Sequence, residues 1–184
     1  MLLEVNLRLE NKFLKIGVTR ETNFPGEHQF IENLFKKAEI DFLHVRKPSF
    51  SEKELALFLE KFDENILKHI KIHDHFQLVK CFNIGGVHLN SRNPECRFDV
   101  NSLSISLHQP IWPENPERFD YMFLSPIYDS ISKKGYKSAF DLEKLSPLIK
   151  GKRIIALGGV SPDKFRELQQ AGFLGAAMSG FLWK

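Results

Sequence analysis

The sequence has few cysteines, no long apolar run and little net charge, the features that mark disulfide-rich, membrane and nucleic-acid-binding proteins. Its 184 residues include two cysteines, Cys81 and Cys96, which lie far apart and outside CxxC spacing. Neither a disulfide framework nor a cysteine zinc site is therefore expected. No apolar run reaches the length of a membrane span, and basic residues are interspersed with acidic ones at a net charge of +3. We expect a cytoplasmic protein with small anionic ligands, no nucleic-acid partner and no membrane partner.

The first 13 residues stand outside the pattern of the remaining chain. Leu3, Val5, Leu7 and Leu9 alternate with polar residues, which indicates a short strand or an N-terminal extension. Charged residues interrupt the segment, so it is not a signal peptide. The 42% hydrophobic content, with 17 phenylalanines, is enough for one core, so residues 1–184 are expected to form a single domain.

From residue 14 onward, short β-branched or aromatic segments alternate with segments of helical period. This alternation is typical of repeated β-α units with a parallel sheet. The predicted strands cover residues 15–19, 42–46, 70–74, 86–89, 102–108, 121–125, 153–158 and 175–179. Eight strands favour an α/β fold of the closed (β/α)8 TIM-barrel type, and an open flavodoxin-like sheet is the alternative.

The helical segments between these strands are uneven in length. Apolar stripes at residues 30–38 and 55–62 predict two amphipathic helices. A third helix follows strand seven, with Ser161 as N-cap, Pro162 in the first turn and Gly172 as terminator.

The barrel is predicted to be trimmed elsewhere. Prolines in residues 91–101 and 109–120 allow at most a turn or two of helix. Lys184 follows strand eight so closely that the last helix of the fold is expected to be missing. A dimer partner or the N-terminal segment would then cover strand eight, with residues 181–183 in the contact.

Polar residues gather where the predicted strands end. They are Arg46, Lys47, His73, Asp74, His75, His88, Asn90, Ser106, His108, Ser125, Ser130, Ser132, Lys133, Gly158, Gly159 and Ser179, counting the two glycines for their backbone groups. Active sites of such barrels lie at the C-terminal strand ends and the loops that follow. The sequence therefore predicts an active site at this end of the barrel.

A phosphate site is predicted where strands seven and eight end. Gly158 and Gly159 precede a capped helix, an arrangement that presents backbone N–H groups and the helix dipole to an anion. Met178 and Ser179 supply the neighbouring turn, and phosphate commonly lies between these two loops of a barrel. A tight turn alone would also explain the glycine pair.

A second anionic group is predicted across the mouth of the barrel. Arg46 and Lys47, with Lys133 on the longest loop, form a candidate clamp for a pyrophosphate, although a solvated basic rim is the alternative. Asp74 is a candidate ligand for Mg²⁺, which takes one or two carboxylates together with substrate oxygens. The run from His73 to His75 also permits a zinc site, which is disfavoured because no carboxylate ends strand eight.

Taken in order, the segments LHVRKP, IHDHFQL, GGVHLN, SLH, FDYMFLSPIYDSISKKG, IALGGV and AAMSG resemble the thiamine-phosphate synthase and TenI superfamily, over nearly the whole chain after Lys15. The resemblance implies a (β/α)8 barrel, often a homodimer, that binds the phosphorylated thiazole precursor of thiamine. In the synthase branch a hydroxymethylpyrimidine pyrophosphate loses pyrophosphate to magnesium, and the thiazole nitrogen traps the resulting cation. In the TenI branch a thiazole carboxylate phosphate is aromatised by proton transfer.

The resemblance also implies roles for individual residues, grouped here by ligand. Those that match the pyrophosphate-holding residues are Arg46, Ser106 and Lys133, and Asp74 matches a magnesium ligand. Those on the thiazole side are Ser130 and Ser132, which stand at a Thr-x-Thr of the family, and Gly159 and Ser179, which match the thiazole-phosphate cradle.

This chain departs from the family pattern on its second and third strands. The family's Gln-x-Arg-x-Lys appears as His44, Arg46 and Pro48, with Lys47 displaced by one position, and His44 and Lys47 are taken as candidate substrate-binding residues. The Asn that precedes the magnesium Asp is His73 here.

Two further departures concern the metal and the proton transfer. Asn93 stands where a second magnesium carboxylate is expected, and a neutral amide binds a hard divalent cation less well. The catalytic His of the tautomerase branch corresponds to Pro126, so His108 or His73 would have to act as general base. The matches favour a synthase, with a tautomerase and a non-catalytic phosphate binder as alternatives.

Overall fold

The computed structural model describes residues 12–129, 138 and 140–183, and its eight parallel strands form a closed barrel in sequence order. The strands are β1 (Leu14–Val18), β2 (Phe42–Val45), β3 (Ile70–Ile72), β4 (Gly86–Leu89), β5 (Leu103–Leu107), β6 (Tyr121–Leu124), β7 (Ile154–Leu157) and β8 (Gly175–Met178). The last strand pairs with the first from Leu14 and Gly175 to Gly17 and Met178. The predicted TIM barrel is confirmed, and the flavodoxin-like alternative is wrong because an open sheet has no such closing ladder.

Five α-helices occur in the described part of the chain. They are α1 (Glu27–Lys36), α2 (Glu52–Leu59), α3 (Glu64–Leu67), α4 (Leu142–Ile149) and α5 (Phe165–Gln170). Short 3-10 turns at Phe76–Lys80 and Pro116–Arg118 replace the helices after β3 and β5. The residues between β4 and β5 contain no helix, which agrees with the prediction of at most a turn or two there. No helix within the described ranges is long and apolar enough to cross a membrane.

The starts of α2 and α5 show how local sequence sets helix ends. Ser51 and Glu54 form a reciprocal capping box at the start of α2. The predicted N-cap at Ser161 behaves differently, because its hydroxyl lies 2.5 Å from Asp163 Oδ1 and caps no backbone N–H. A 3-10 turn, Pro162–Lys164, comes first, so the helix begins later than predicted, at Phe165.

The inside of the barrel has an apolar half and a polar half. The apolar half contains Leu14, Ile16 and Val18 of β1, Tyr121 and Phe123 of β6, Ile155 of β7 and Ala177 of β8. The polar half is formed by side chains of β2 to β5 and of the residue that follows β3, namely His44, Lys71, His73, His88, Ser104 and Ser106. An apolar filling needs no partners, whereas each polar group in the other half needs a hydrogen bond or an opposite charge.

The residues after β8 close the outer surface of the barrel from within the same chain. Trp183 Nε1 donates a buried hydrogen bond to the carbonyl of Val18 at 2.8 Å, and its ring centroid lies 5.4 Å from that of Phe30 on α1. An added Cβ on Gly17 would lie 3.2 Å from Leu182 Cδ1, which places Leu182 against β1. Residues 182 and 183 therefore serve the intramolecular core, a correction to the contact predicted for them, and the homodimer stays a prediction.

We predict that Trp183→Phe lowers the free energy of unfolding by about 1–3 kcal/mol, because the buried Val18 carbonyl loses its donor while most of the ring packing remains. Urea unfolding measures this change. The matched control is Ile111→Ala, whose side chain is 69% exposed and whose effect should stay within about 0.5 kcal/mol. Equal stability of the two variants would show that the hydrogen bond contributes nothing.

Candidate active site

The rim of the barrel consists of the C-terminal strand ends and the loop residues that follow them. Arg46 lies at this rim. Thr19 anchors its backbone, since Arg46 N donates to Thr19 Oγ1 at 2.9 Å and that hydroxyl donates to Arg46 O at 3.3 Å. The guanidinium is one-third exposed and forms an ion pair with Glu21 at 2.5 Å. Because an exposed ion pair contributes little stability, an anionic ligand can replace Glu21 at modest cost.

Lys47, the next residue, lies beneath the rim and not on it. Its Nζ donates to Glu27 Oε1 and Oε2 at 2.7 and 2.8 Å and to the carbonyl of Thr22 at 3.2 Å. These three bonds use the three protons of the ammonium group. Lys47 and Glu27 are both buried, so the structure gives Lys47 an ion pair at the start of α1 in place of the predicted anion contact at the mouth.

A buried hydrogen-bonded chain runs from the rim toward the floor of the barrel. His44 Nδ1 lies 3.0 Å from His73 Nε2, and His44 Nε2 lies 2.7 Å from the hydroxyl of Tyr121. His44 has no exposed surface and His73 is 4% exposed. His73 is therefore the member of this chain nearest the opening, and His44 supports it from below instead of contacting a ligand as predicted.

His88 joins the same cluster from the neighbouring strand. Its Nδ1 lies 2.9 Å from Ser104 Oγ and its Nε2 lies 2.7 Å from Ser106 Oγ, while its ring stacks on His73 at a centroid distance of 4.3 Å. Neutral imidazole carries one N–H. One serine therefore donates to His88 and the other accepts, so the predicted pyrophosphate contact of Ser106 depends on a hydroxyl that is already shared.

The three imidazoles of this cluster are neutral. Burial, followed by the charges of Arg46 and Arg92, lowers the pKa of His73 to about 3. Burial also lowers the pKa of His44 and of His88 well below the ordinary value. The general-base role predicted for His73 assumed a pKa near neutrality, and the structure corrects that assumption because a base with such a low pKa accepts protons poorly at pH 7.

The same three histidines are the candidate metal ligands of the described residues. One ring nitrogen from each lies within 4.8 Å of the others. Both nitrogens of His44 and both of His88 already have hydrogen-bond partners inside the barrel. Nε2 of His73 is also engaged, by His44 Nδ1, so the arrangement favours a hydrogen-bonded network over a metal site.

Lys71 lies at the base of the polar half. Its Nζ is 4.2 Å from the ring centroid of Tyr121 and 3.7 Å from Asp120 Oδ2. Burial lowers the pKa of Lys71 to about 8, and the nearby Asp120 opposes that shift. Its charge adds to the field that keeps the histidines above it neutral.

The predicted magnesium ligands lie together after β3 and β4, but a third residue accompanies them. Arg92 Nη2 donates to Asp74 Oδ1 and Oδ2 at 3.1 and 3.2 Å. Asn93 Nδ2 donates to Asp74 Oδ1 at 2.8 Å and to the carbonyl of His73 at 3.0 Å. Asn90 ties the two loops, because its amide donates to His73 O while its Oδ1 accepts from Arg92 N.

His108 is exposed at the end of β5. Its Nδ1 lies 3.4 Å from both the carbonyl and the hydroxyl of Ser125, which precedes Pro126 at the end of β6. The imidazole is therefore accessible at the rim, as a general base would require, although its role stays a prediction.

The glycine pair after β7 is required by packing against the loop that follows β6. Gly158 and Gly159 have φ values of +95° and +66°. A Cβ on Gly159 would lie 2.2 Å from the carbonyl oxygen of Asp129, and one on Gly158 would lie 2.8 Å from Pro126 Cα. The tight turn predicted as the alternative explanation is real, and it brings the β6 loop directly beside the glycines.

The turns after β7 and β8 are neighbours at the rim. Leu157 of β7 pairs with Ala177 of β8, so Gly158 and Gly159 stand beside Met178 and Ser179 at the ends of adjacent strands. The Met178 side chain is buried in the core, which leaves only its backbone for a ligand. Ser179 is half-buried at the rim. The geometry is compatible with the predicted phosphate site between these turns.

Comparisons with known proteins agree with this geometry. Residues 18–181 match the family described as thiamine monophosphate synthase. The chain belongs to the thiamine monophosphate synthase family. A thiamine phosphate pyrophosphorylase of Bacteroides thetaiotaomicron is 34% identical, with a TM-score of 0.78 over 94% of this chain and 85% of that one.

Two more relatives extend the comparison. A thiamine-phosphate synthase of Oceanobacillus iheyensis is 26% identical over 111 residues, which cover 55% of this chain and 54% of that protein. The match thus spans about half the length of this curated relative. A thiamine phosphate pyrophosphorylase of Pyrococcus furiosus shares the fold, with a TM-score of 0.68 and 15% sequence identity. The structural match covers 93% of this chain and 87% of that one.

Three predicted site residues of the family pattern, Ser130, Ser132 and Lys133, lie outside the described residues. Their contacts to the thiazole and pyrophosphate groups stay predictions.

Sequence reasoning missed three residues of the site. Arg92 directly precedes Asn93, where the family pattern has a carboxylate. A basic residue at that place in the sequence could have indicated that Arg92 belongs to the site. Tyr121 and Glu27 gave no such signal, because their partners His44 and Lys47 lie 77 and 20 positions away.

We predict that Gly159→Ala destabilises the protein more than Gly172→Ala does. Both positions have positive φ, but a Cβ on Gly172 would meet nothing within 4 Å. Gly172→Ala should therefore lower the free energy of unfolding by about 1–2 kcal/mol, the strain of an alanine in the left-handed region. Gly159→Ala should lower it by at least about 2 kcal/mol more, because its Cβ also clashes with the backbone of the β6 loop. Chemical unfolding compares them, and equal losses would contradict the close approach of the β6 loop.

We also predict that stability falls as the pH drops below 6.5. Burial depresses the folded pKa values of His44, His73 and His88, that of His73 to about 3, so the unfolded state binds more protons than the folded state as the pH falls below 6.5. Three such histidines lower the free energy of unfolding by about 4 kcal/mol between pH 8 and pH 5.5.

Urea unfolding at a series of pH values tests this slope. His88→Gln should remove about one third of it, whatever its effect on absolute stability. The matched control His28→Gln leaves the three cluster histidines intact and should keep the wild-type slope. An unchanged slope in His88→Gln would mean that His88 is protonated in the folded protein.

Proposed function

We propose that this protein is a transferase that forms thiamine phosphate. Its substrates are the pyrophosphate ester of a hydroxymethylpyrimidine and the phosphate ester of a thiazole, and pyrophosphate is released. The proposal depends first on membership of the thiamine monophosphate synthase family. Two features of the site support it: the partly exposed guanidinium of Arg46 at the end of β2 and the glycine turn at the end of β7. Strands β2 and β7 are three strands apart in the eight-stranded barrel, so both features border the same barrel mouth.

The two sides suit the two anionic substrates. The phosphate of the thiazole would lie against the backbone N–H groups of Gly159 and Ser179, because glycine at residue 159 leaves no side chain between ligand and backbone. The pyrophosphate would lie at Arg46, whose planar guanidinium matches two phosphate oxygens. The span of the barrel separates the two anions and directs the reacting ends of both substrates toward its axis.

The reaction needs one bond to break and one to form. The C–O bond between the pyrimidine methylene carbon and the pyrophosphate breaks, and its electron pair leaves with the pyrophosphate oxygen. The lone pair of the thiazole nitrogen then forms the new C–N bond. Guanidinium groups stabilise the charge that develops on the leaving oxygen, and the neutral histidines beneath the rim add no positive charge that would repel the carbocation.

A thiazole tautomerase of the TenI type is the second candidate. It is favoured by His108, whose exposed imidazole reaches Ser125 beside residue 126, where that branch carries its catalytic histidine. An imidazole in this place can move a proton on a bound thiazole carboxylate phosphate.

We predict that the purified protein converts the two substrates, with Mg²⁺ supplied, to thiamine phosphate and pyrophosphate, as followed by mass spectrometry. Arg46→Gln should lower kcat/KM by about 10- to 100-fold, the loss expected for one charged hydrogen-bonding group. The matched control is Arg118→Gln, an exposed arginine just before β6 at the opposite end of the barrel, which should retain wild-type activity.

Two other outcomes would contradict the transferase, and a third would contradict the role given to Arg46. Aromatisation of a thiazole carboxylate phosphate that is lost in His108→Ala but kept in Arg46→Gln would establish the tautomerase. Tight binding of thiamine phosphate without turnover of either substrate set would establish a binder. Equal activity of Arg46→Gln and Arg118→Gln would remove Arg46 from the site.

A further inference from the structure

The carboxylate of Asp74 is already neutralised by a cation of this chain. Arg92 approaches it through Nη2, at 3.1 and 3.2 Å from the two carboxylate oxygens, and through Nε at 3.4 Å from Oδ1. The Asp74 side chain is 14% exposed. A magnesium ion would need a carboxylate oxygen at about 2.1 Å, which requires the guanidinium to leave.

The neighbouring amide is turned the wrong way for a metal. Asn93 Nδ2 faces two acceptors, Asp74 Oδ1 at 2.8 Å and the carbonyl of His73 at 3.0 Å. Rotating the amide would place its oxygen against both acceptors, so the hydrogen bonds determine its orientation. The Asn93 oxygen therefore points away from Asp74, and the residues present do not fit a divalent cation.

The position of Arg92 suits a pyrophosphate ligand instead. Asp74 engages the Nε and Nη2 edge of the guanidinium, so the Nη1 edge extends beyond the carboxylate, and the side chain is 40% exposed. The strand order β2-β3-β4 places Arg46 and Arg92 on either side of β3.

We propose that Arg92, positioned by Asp74, supplies with Arg46 the positive charge for a pyrophosphate group, so that this protein binds pyrophosphate without a divalent cation. This inference deepens the proposed function and rests on it. Two guanidinium groups offer planar pairs of N–H donors that match phosphate oxygens. Asp74 is then a positioning residue that holds Arg92 at the rim, in place of a metal ligand.

The test is calorimetric titration of inorganic pyrophosphate into the whole protein, once with EDTA and once with MgCl2. The dissociation constant in EDTA should lie within about threefold of the value in Mg²⁺, because the binding charges belong to the protein. In EDTA, Arg92→Gln should weaken binding at least about tenfold. Arg92→Lys, which keeps the charge but loses the planar fork, should show a smaller loss, and Arg118→Gln should bind like the wild type.

A second measurement uses Mn²⁺ alone as a paramagnetic probe of the Asp74 site. The wild-type protein should leave the spin-resonance signal of free Mn²⁺ unchanged, since Arg92 occupies the carboxylate. Mn²⁺ binding that Asp74→Asn abolishes would overturn the inference. So would pyrophosphate binding that needs Mg²⁺, or equal affinity of Arg92→Gln and wild type, or no pyrophosphate binding in either buffer.

These outcomes are separate from those of the proposed function. Pyrophosphate binding is measured without turnover, so a protein that forms no thiamine phosphate can still bind pyrophosphate in EDTA. Conversely, a transferase that binds pyrophosphate only with Mg²⁺ would keep its function and refute the role of Arg92.

Discussion

Three imidazoles that burial keeps neutral support the rim of this barrel from below. Charged imidazoles packed at centroid distances of 4.3 to 5.2 Å would repel one another in a medium of low polarity. Hydrogen bonds to Tyr121 and to the serines of β5 satisfy the neutral rings instead. The loops after β3 and β4 rest on this layer through the carbonyl of His73, which accepts from Asn90 and Asn93. The position of Asp74 and Arg92 therefore depends on the network beneath them.

Depth within the molecule separates the cations at the barrel mouth. Arg46 and Arg92 are partly exposed, and each faces a carboxylate, so both can exchange or share that partner with an anionic ligand. Lys47 lies deeper, where an uncompensated charge is costly, and Glu27 neutralises it completely. A positive charge is thus accessible to a ligand at one depth and is neutralised within the fold at the other.

On the opposite side of the mouth, backbone geometry takes the place of side-chain charge. The two glycines after β7 have positive φ and lie against the loop that follows β6, so a side chain there would displace that loop. Because these glycines carry no side chains, their backbone N–H groups are also accessible to a phosphate. One constraint therefore shapes the turn and the predicted cradle, and a substitution at residue 159 is expected to disturb both.

The eight strands and their order could be predicted from the sequence, because a hydrophobic period and turn-forming residues act over a few neighbouring positions. The motif order from LHVRKP to AAMSG was enough to indicate the family. Which polar side chains reach the barrel mouth, and which are held by a partner inside the fold, depends on the three-dimensional arrangement. Lys47 and Glu27 are 20 positions apart, and Asp74 and Arg92 are 18. Such pairs form only once barrel closure has set the depth and direction of each side chain, and no local pattern encodes that.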